Sequence, residues 1–348
     1  MSTLYLGTDV DALAGKLAEH LQTKDRDPFH PATIVVPNRY LGKWLRLWLA
    51  RRLGLAFNLR FLYLENALWE WLRRVDPRQH SSEPELLDHD SYRLMILSIL
   101  WEENAGPELA GVQGYVRTAS QPSRATWRRS WHFADRLARF IRDYEYHRQD
   151  TLIQHWLKGE LGYPPETVRQ EHEQREIFRR ITRLPDGKRA QLEQATGRIL
   201  KTLPQYAMEV MECAVPHAGE KQDMVHLFAI SQISELHIRT LHWLSRHLDV
   251  RLYHLSPLAE TLHSHQPEVQ ETGPRCSLLE SWGKAGIESH NLAAQLLSPP
   301  NPFHREYVSS PRKQVTTVLG RLQSSILDPP SSILDPQPQD RSLQIVAC

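Results

Sequence analysis

The sequence predicts an α/β fold in which one parallel sheet is assembled from two stretches of chain, with a large α-helical insertion between them. Three observations predict it. Residues 3–53 alternate strand-like and helix-like runs in the order strand, helix, strand, helix. Residues 224–255 repeat the pattern as strand, helix, strand, a βαβ unit whose strands should lie parallel with a right-handed crossover. Between them, residues 76–216 carry almost only helical periodicity.

Residues 3–6 form a short apolar run. Residues 10–21 are amphipathic, with Leu13, Leu17 and Leu21 on one face. Residues 32–36 are apolar and rich in β-branched side chains, as suits a strand covered on both faces. Pro37 and Asn38 stop that strand, and Asn38 is placed to cap the next helix. In residues 40–53, Leu41, Trp44, Leu45, Trp48 and Leu49 recur at helical spacing. The opposite face carries Arg39, Lys43 and Arg46, with Arg51 and Arg52 at the end and Gly54 as a C′ residue. An aromatic run then leads to a Trp-rich helix at 65–74.

Residues 90–103 are apolar almost all round, which predicts a central helix. Residues 125–146 form the strongest helix. Trp127, Trp131, Ala134, Ala138 and Ile141 make one stripe, widened by Phe133, Leu137, Phe140 and Tyr144; Arg129, His132, Arg136 and Arg139 take another face. A charged helix at 166–183 and another at 190–203 complete the insertion. Strands are expected at 224–230 and 249–255, flanking a helix at 234–248. From 298 the composition turns to Pro and Ser, and Ser-Ser-Ile-Leu-Asp-Pro occurs at 324–329 and again at 331–336. A helix at 315–327 fits inside this stretch, and residues 342–348 read as a truncated strand. The expected organisation is therefore 1–75 and 217–297 as two parts of one α/β core, 76–216 as the insertion, 298–340 as linker and 341–348 as the start of a strand.

Net charge is +1, from 42 Lys and Arg against 41 Asp and Glu, so overall charge names no partner and only local clusters can. Cys213, Cys276 and Cys348 form no CxxC pair, which speaks against a zinc or disulfide framework and fits a reducing, cytoplasmic setting. No leader pattern opens the chain, and no run approaches the ~20 apolar residues of a membrane span.

Catalytic motifs are missing. Gly7 and Gly15-Lys16 suggest a phosphate loop, but their spacing is too long, Leu17 supplies no hydroxyl, and Asp9 and Asp11 would repel phosphates. His172-Glu173 starts an HExxH pattern that ends on Glu176, and His237, His242 and His247 leave a common helix face. Glu280 and Lys284 lack the partner carboxylates of a Mg²⁺ nuclease. No catalytic, cofactor or metal residue is therefore assigned. The DNA-binding candidates are Arg39, Lys43, Arg46, Arg129, Arg136 and Arg139. Each cation set reads either as a solvated helix face or as a phosphate-contacting one. The tryptophans read as core or as base-stacking platforms.

Residues 31–69 resemble the N-terminal region of the exodeoxyribonuclease V gamma subunit, the RecC family. The matching pieces are Lys43-Trp44-Leu45, Gly54-Leu55-Ala56-Phe57-Asn58 and Leu68-Trp69. Asp27-Pro28-Phe29, the run at 137–148, Ala229-Ile230-Ser231, Ser256-Pro257, 278–286 and Asp340-Arg341-Ser342 with Cys348 extend the similarity. The family carries glycine where this chain has Ala229. The resemblance implies a helicase-like, P-loop NTPase-like core that has lost its ATPase motifs. It implies a non-catalytic scaffold that binds double-stranded ends and single-stranded DNA, partnered by the beta and alpha subunits of an ATP-dependent helicase-nuclease. ATP and Mg²⁺ would sit in those partners, and the process would be recombinational repair of double-strand breaks. The alternatives are a free-standing nucleic-acid-binding α/β protein and a truncated, non-functional relic.

Overall fold

The structure is a computed structural model that describes residues 1–22, 29–78, 83–103, 106–116, 123–162, 168–183, 185–213, 223–231, 233–256, 284–300 and 302–309. In chain order the first elements are β1 (Thr3–Gly7), α1 (Val10–Leu21), β2 (Ala32–Val35), α2 (Arg39–Leu53), β3 (Leu59–Leu62) and α3 (Leu64–Val75). Next come β4 (Pro84–Leu86), α4 (His89–Leu100), α5 (Ala110–Val116), α6 (Arg124–His147), α7 (Gln154–Lys158), α8 (Val168–Thr182) and α9 (Lys188–Thr196). The rest are β5 (Ile199–Lys201), α10 (Leu203–Glu212), β6 (Met224–Phe228), α11 (Glu235–Leu244), β7 (Asp249–Leu255), α12 (Lys284–Ala294) and β8 (His304–Tyr307). The chain forms two compact units, one of Met1–Ala67, His217–Ser234 and Leu241–Cys348, the other of Leu68–Pro216 and Glu235–Thr240.

The first unit is built on a six-stranded sheet in the order β3-β2-β6-β7-β1-β8. Every ladder in it is parallel. The two sequence-distant α/β stretches do close into one sheet: Ile34 of β2 faces His226 of β6, and Tyr5 of β1 faces Tyr253 of β7. β1 is buried along its whole length, as a strand covered on both faces must be. On one face Leu13, Ala14, Leu17 and Leu21 of α1 and Leu45 and Leu49 of α2 join Tyr5, Ile34, Phe228 and Tyr253 in a core.

Local chemistry explains the boundaries. Asp9 caps α1 by accepting from the Asp11 amide at 2.8 Å. Asn38 caps α2 as its sequence position predicts, accepting from the amides of Tyr40 and Leu41, each at 3.0 Å. Gly54, at φ +77°, ends α2 in the half of backbone space that glycine enters freely. Two edge strands differ from the sequence expectation. β3 lies within the aromatic run, and β8 lies in the stretch from 298 expected to be linker. β8 has four residues, two exposed and two half-buried, and carries no apolar alternation, although the buried Phe303 anchors its start. The expected helix at 315–327, the duplicated hexapeptide, the closing strand at 342–348 and the segment 278–283 lie outside the described residues.

Ala229 follows β6 at φ +49°, where L-residues are disfavoured by roughly 1–2 kcal/mol. Its amide donates to the Tyr253 carbonyl at 2.8 Å, which holds the turn in place. This is the position at which the family resemblance calls for glycine. Ala229→Gly should therefore raise stability by up to about 1 kcal/mol, read as a higher urea midpoint. A lower midpoint would show that the methyl group packs favourably and that no strain is stored there.

The second unit is mostly helical. Tyr92, Met95, Ile96 and Ile99 of α4 pack with Ala134, Leu137, Ala138 and Ile141 of α6 and with Ile177, Phe178 and Ile181 of α8. α4 is central, as expected, although Leu94 is exposed. Two buried polar pairs lie in this unit: the Tyr92 hydroxyl donates to Glu145 at 2.8 Å, and the Trp156 indole donates to Glu171 at 2.9 Å. The helix expected at 190–203 is corrected. Gly197, at φ +69°, stops α9; Ile199–Lys201 then forms β5, parallel to β4, and Thr202 caps α10. The carboxylate of Glu193 accepts from the Leu200 amide at 2.8 Å and pins the reversal. A strand of three residues is too short for the eye to separate from helical periodicity.

Candidate nucleic-acid interface

α2 begins directly after β2, so its first turn lies at the carboxyl edge of the sheet, the edge at which open α/β sheets bind ligands. Asn38 already occupies the amides of Tyr40 and Leu41, so the cations on the outer face must carry any attraction for anions. Gly42, Leu45 and Leu49 are buried, and Trp44 and Trp48 are half-buried against the core. Gly42 packs closely there: a Cβ would meet the Val36 side chain at 3.2 Å and press on it. Arg39, Lys43 and Arg46 thereby face outward, and all three are exposed.

From Arg39 to Arg60 the chain holds six Arg or Lys and no Asp or Glu. Among the described residues, no ion pair engages Arg39, Lys43, Arg46, Arg51 or Arg52. The Arg39 guanidinium lies 5.0 Å from the Tyr40 ring centre, and that of Arg46 lies 4.9 Å from the Phe61 ring centre. A ring under a guanidinium supports its plane and leaves the N–H edge to face a phosphate. Tyr40, Leu47, Phe57 and Tyr63 are exposed large side chains of the same segment. Lys43 and Arg46 stand roughly one turn apart, and Arg39 to Arg46 spans ~10 Å of helix axis. That matches about three nucleotides of rise at ~3.4 Å each. Sequence spacing shows the cations, as a run without an acid, and the adjacent Tyr40, but not the support that Phe61 gives Arg46.

The other candidates fall in different surroundings. Arg139 is paired with Asp135 at 2.8 Å, a carboxylate it shares with Arg93 and His89, so unlike the α2 cations it has a carboxylate partner. Arg129 donates to the Tyr115 carbonyl at 3.2 Å. Arg136 lies 5.7 Å from the Phe140 ring centre and lines a groove with Arg129. The tryptophans divide. Trp69, Trp71 and Trp156 are core, whereas Trp127 and Trp131 are 48% and 41% exposed. Trp127 stacks on Trp101 at 4.1 Å, and Trp131 lies under Arg93.

The residues that imitate a phosphate loop have other work. Gly7 ends β1, and a Cβ there would come within 3.1 Å of Leu13 and 3.3 Å of the Val308 carbonyl, so close packing of strand and helix accounts for it. Lys16 is ion-paired with Glu306 of β8 at 2.6 Å. Among the described residues no three His, Cys, Asp or Glu side chains converge as metal ligands, and no helix is long and apolar enough to cross a membrane.

A family model described as RecC, N-terminal domain, matches residues 3–329. No curated protein matches the chain.

Proposed function

The chain belongs to the RecC N-terminal domain family, and from that premise we propose that it is the helicase-like, non-catalytic DNA-binding scaffold portion of an exodeoxyribonuclease V gamma subunit. Its process is recombinational repair of DNA double-strand breaks. The observation that carries the DNA-binding reading is the α2 face, an exposed row of cations on a helix without carboxylates, two of them, Arg39 and Arg46, lying over aromatic rings. The parallel sheet and the alternative employment of Gly7 and Lys16 support a core with the helicase layout and no phosphate loop. In this reading ATP and Mg²⁺ act in the beta and alpha subunits, and this chain contributes shape and positive charge.

The test is the salt dependence of single-stranded DNA affinity. Removing one phosphate-binding cation should flatten log K against log salt by ~0.7. The variant Arg39→Ala/Lys43→Ala/Arg46→Ala is expected to reduce the slope by about 2 between 50 and 200 mM salt. Arg139→Ala, whose partner is Asp135, is expected to leave it unchanged. An unaltered slope in the triple variant rejects α2 as the DNA-binding face.

A further inference from the structure

The second unit carries a groove of about 580 Å³ lined by residues of α5, α6 and α8. Val112, Leu137 and Ile177 form a largely buried floor. The rings of Phe133, Phe140 and Tyr115 stand around it, with Phe140 41% and Tyr115 58% exposed. Arg129, His132 and Arg136 line it from α6, and Gln170, Glu173 and Gln174 from α8. Among the described residues Arg136 has no ion pair; only the Phe140 ring lies beside it.

We propose that this groove docks a short amphipathic helix of another protein, apolar on one face and acidic along one edge. Three features lead there. An apolar floor within a ring of aromatic side chains takes aliphatic or aromatic anchors, and helices bind such grooves through residues at i, i+3/i+4 and i+7. Arg129 to Phe140 spans ~16 Å of α6, the length of about three turns. The longest wall is the middle of α6, whose backbone groups are paired within that helix, so it offers no open backbone edge to a strand; an occupant lying along it must satisfy its own backbone, and a helix does so. The edge bearing the guanidinium groups of Arg129 and Arg136 calls for carboxylates. Glu173 on the other wall argues against a phosphate chain, which would meet its charge; α2, by contrast, has no acid at all. The groove is thus a second surface, and the assignment stands whether or not α2 binds DNA.

The experiment uses the full 348-residue chain and a displayed library of peptides about four helical turns long, roughly 16 residues. Selected sequences are expected to converge on apolar residues at helical spacing flanked by Asp or Glu. A selected peptide, made synthetically, should bind the Arg136→Glu variant at least about tenfold more weakly, and Arg136→Ala to an intermediate degree. The Arg136→Glu protein should in turn select peptides with Lys or Arg at the flanking position, an outcome that a merely misfolded variant does not give. Failure to converge, convergence on basic sequences, or indifference of the peptide to both Arg136 variants overturns the proposal. So does an oligo-dT that displaces the peptide and binds Arg136→Glu more weakly, which would assign the groove to nucleic acid.

Discussion

Tyr253→Ala is expected to lower the stability of the sheet unit by about 4 kcal/mol or more, the largest effect foreseen for any one residue. The side chain is fully buried on β7, and its ring stacks on Tyr5 of β1 at 4.9 Å. Its hydroxyl is hydrogen-bonded to His20 Nδ1 at 2.7 Å and to His226 Nδ1 at 3.1 Å. His20 also reaches the Tyr5 hydroxyl through Nε2 at 3.2 Å. Truncating a buried aromatic costs ~3–5 kcal/mol through reduced burial and the cavity left behind. Leaving a buried ring nitrogen without its partner adds ~1–3 kcal/mol. Tyr253→Phe separates the two effects, because it keeps the ring and removes only the hydroxyl; it should cost ~1–3 kcal/mol. Both are read from urea midpoints at constant slope. The position matters because this network ties β1 and α1, from the beginning of the chain, to β6 and β7, near its other end. A midpoint in Tyr253→Ala within about 1 kcal/mol of the parent would show that the two stretches do not share a cooperative core.

That junction is visible in the sequence only in outline. The β-branched run of β2 and the apolar run of β6 announce buried parallel strands, because residues covered on both faces leave a continuous hydrophobic signature. Which strands are neighbours is not written in either run. It follows from burial of Tyr5, Phe228 and Tyr253 together, which periodicity cannot express. Short elements escape for a related reason. β4 and β5 have three residues each, and β8 has four with two exposed, so no alternation accumulates. Caps and stops are legible at Asn38 and Gly54, whose chemistry is local. At Gly197 the same stop signal is present, but the helical pattern on either side hides it. The α2 cation row is likewise visible, since charge on a helix face follows directly from spacing. Its aromatic supports are only partly so: Tyr40 is adjacent in sequence, whereas Phe61 meets Arg46 from β3, a tertiary contact. The groove is least legible, because its lining comes from three helices and includes Gln170 and Gln174, which no motif marks.

Stability is expected to fall steeply between about pH 6.5 and pH 4, through histidines buried neutral. His20 titrates at about 4, chiefly because burial disfavours its charged form, with Arg251 and Lys16 adding repulsion. His254 is also lowered to about 4, by burial and then by the charge of His290. His237 is lowered to about 4 by burial and then by His147. In the unfolded chain each returns to ~6.5. Between those values the unfolded state binds the proton and the folded state does not, so unfolding takes up protons and stability drops as pH falls. The stabilising contribution is complete above the unfolded value and gone below about pH 4. Each histidine contributes at most about 1.4 kcal/mol per pH unit inside the window, less for His20 and His237, which are partly solvated. Carboxylates held below their ordinary range act at lower pH. Asp135 is lowered by its hydrogen bond to His89 and by Arg93; Glu176 is lowered by Arg179 and Arg180 against its burial; their effects begin only near the ordinary carboxylate range. The stretch from about pH 6.5 to 5 therefore isolates the histidines. Urea unfolding at about pH 7, 6 and 5 measures it, and His254→Leu should remove up to one proton's share of the slope. His254 suits that test because its Nε2 has no hydrogen-bond partner among the described residues and its side chain is 1% exposed, so leucine sacrifices no hydrogen bond of that nitrogen. Equal stability at the two ends of that range would mean that these rings are solvated or already charged in the folded protein, and that the sheet core around His20 is wetter than its packing implies.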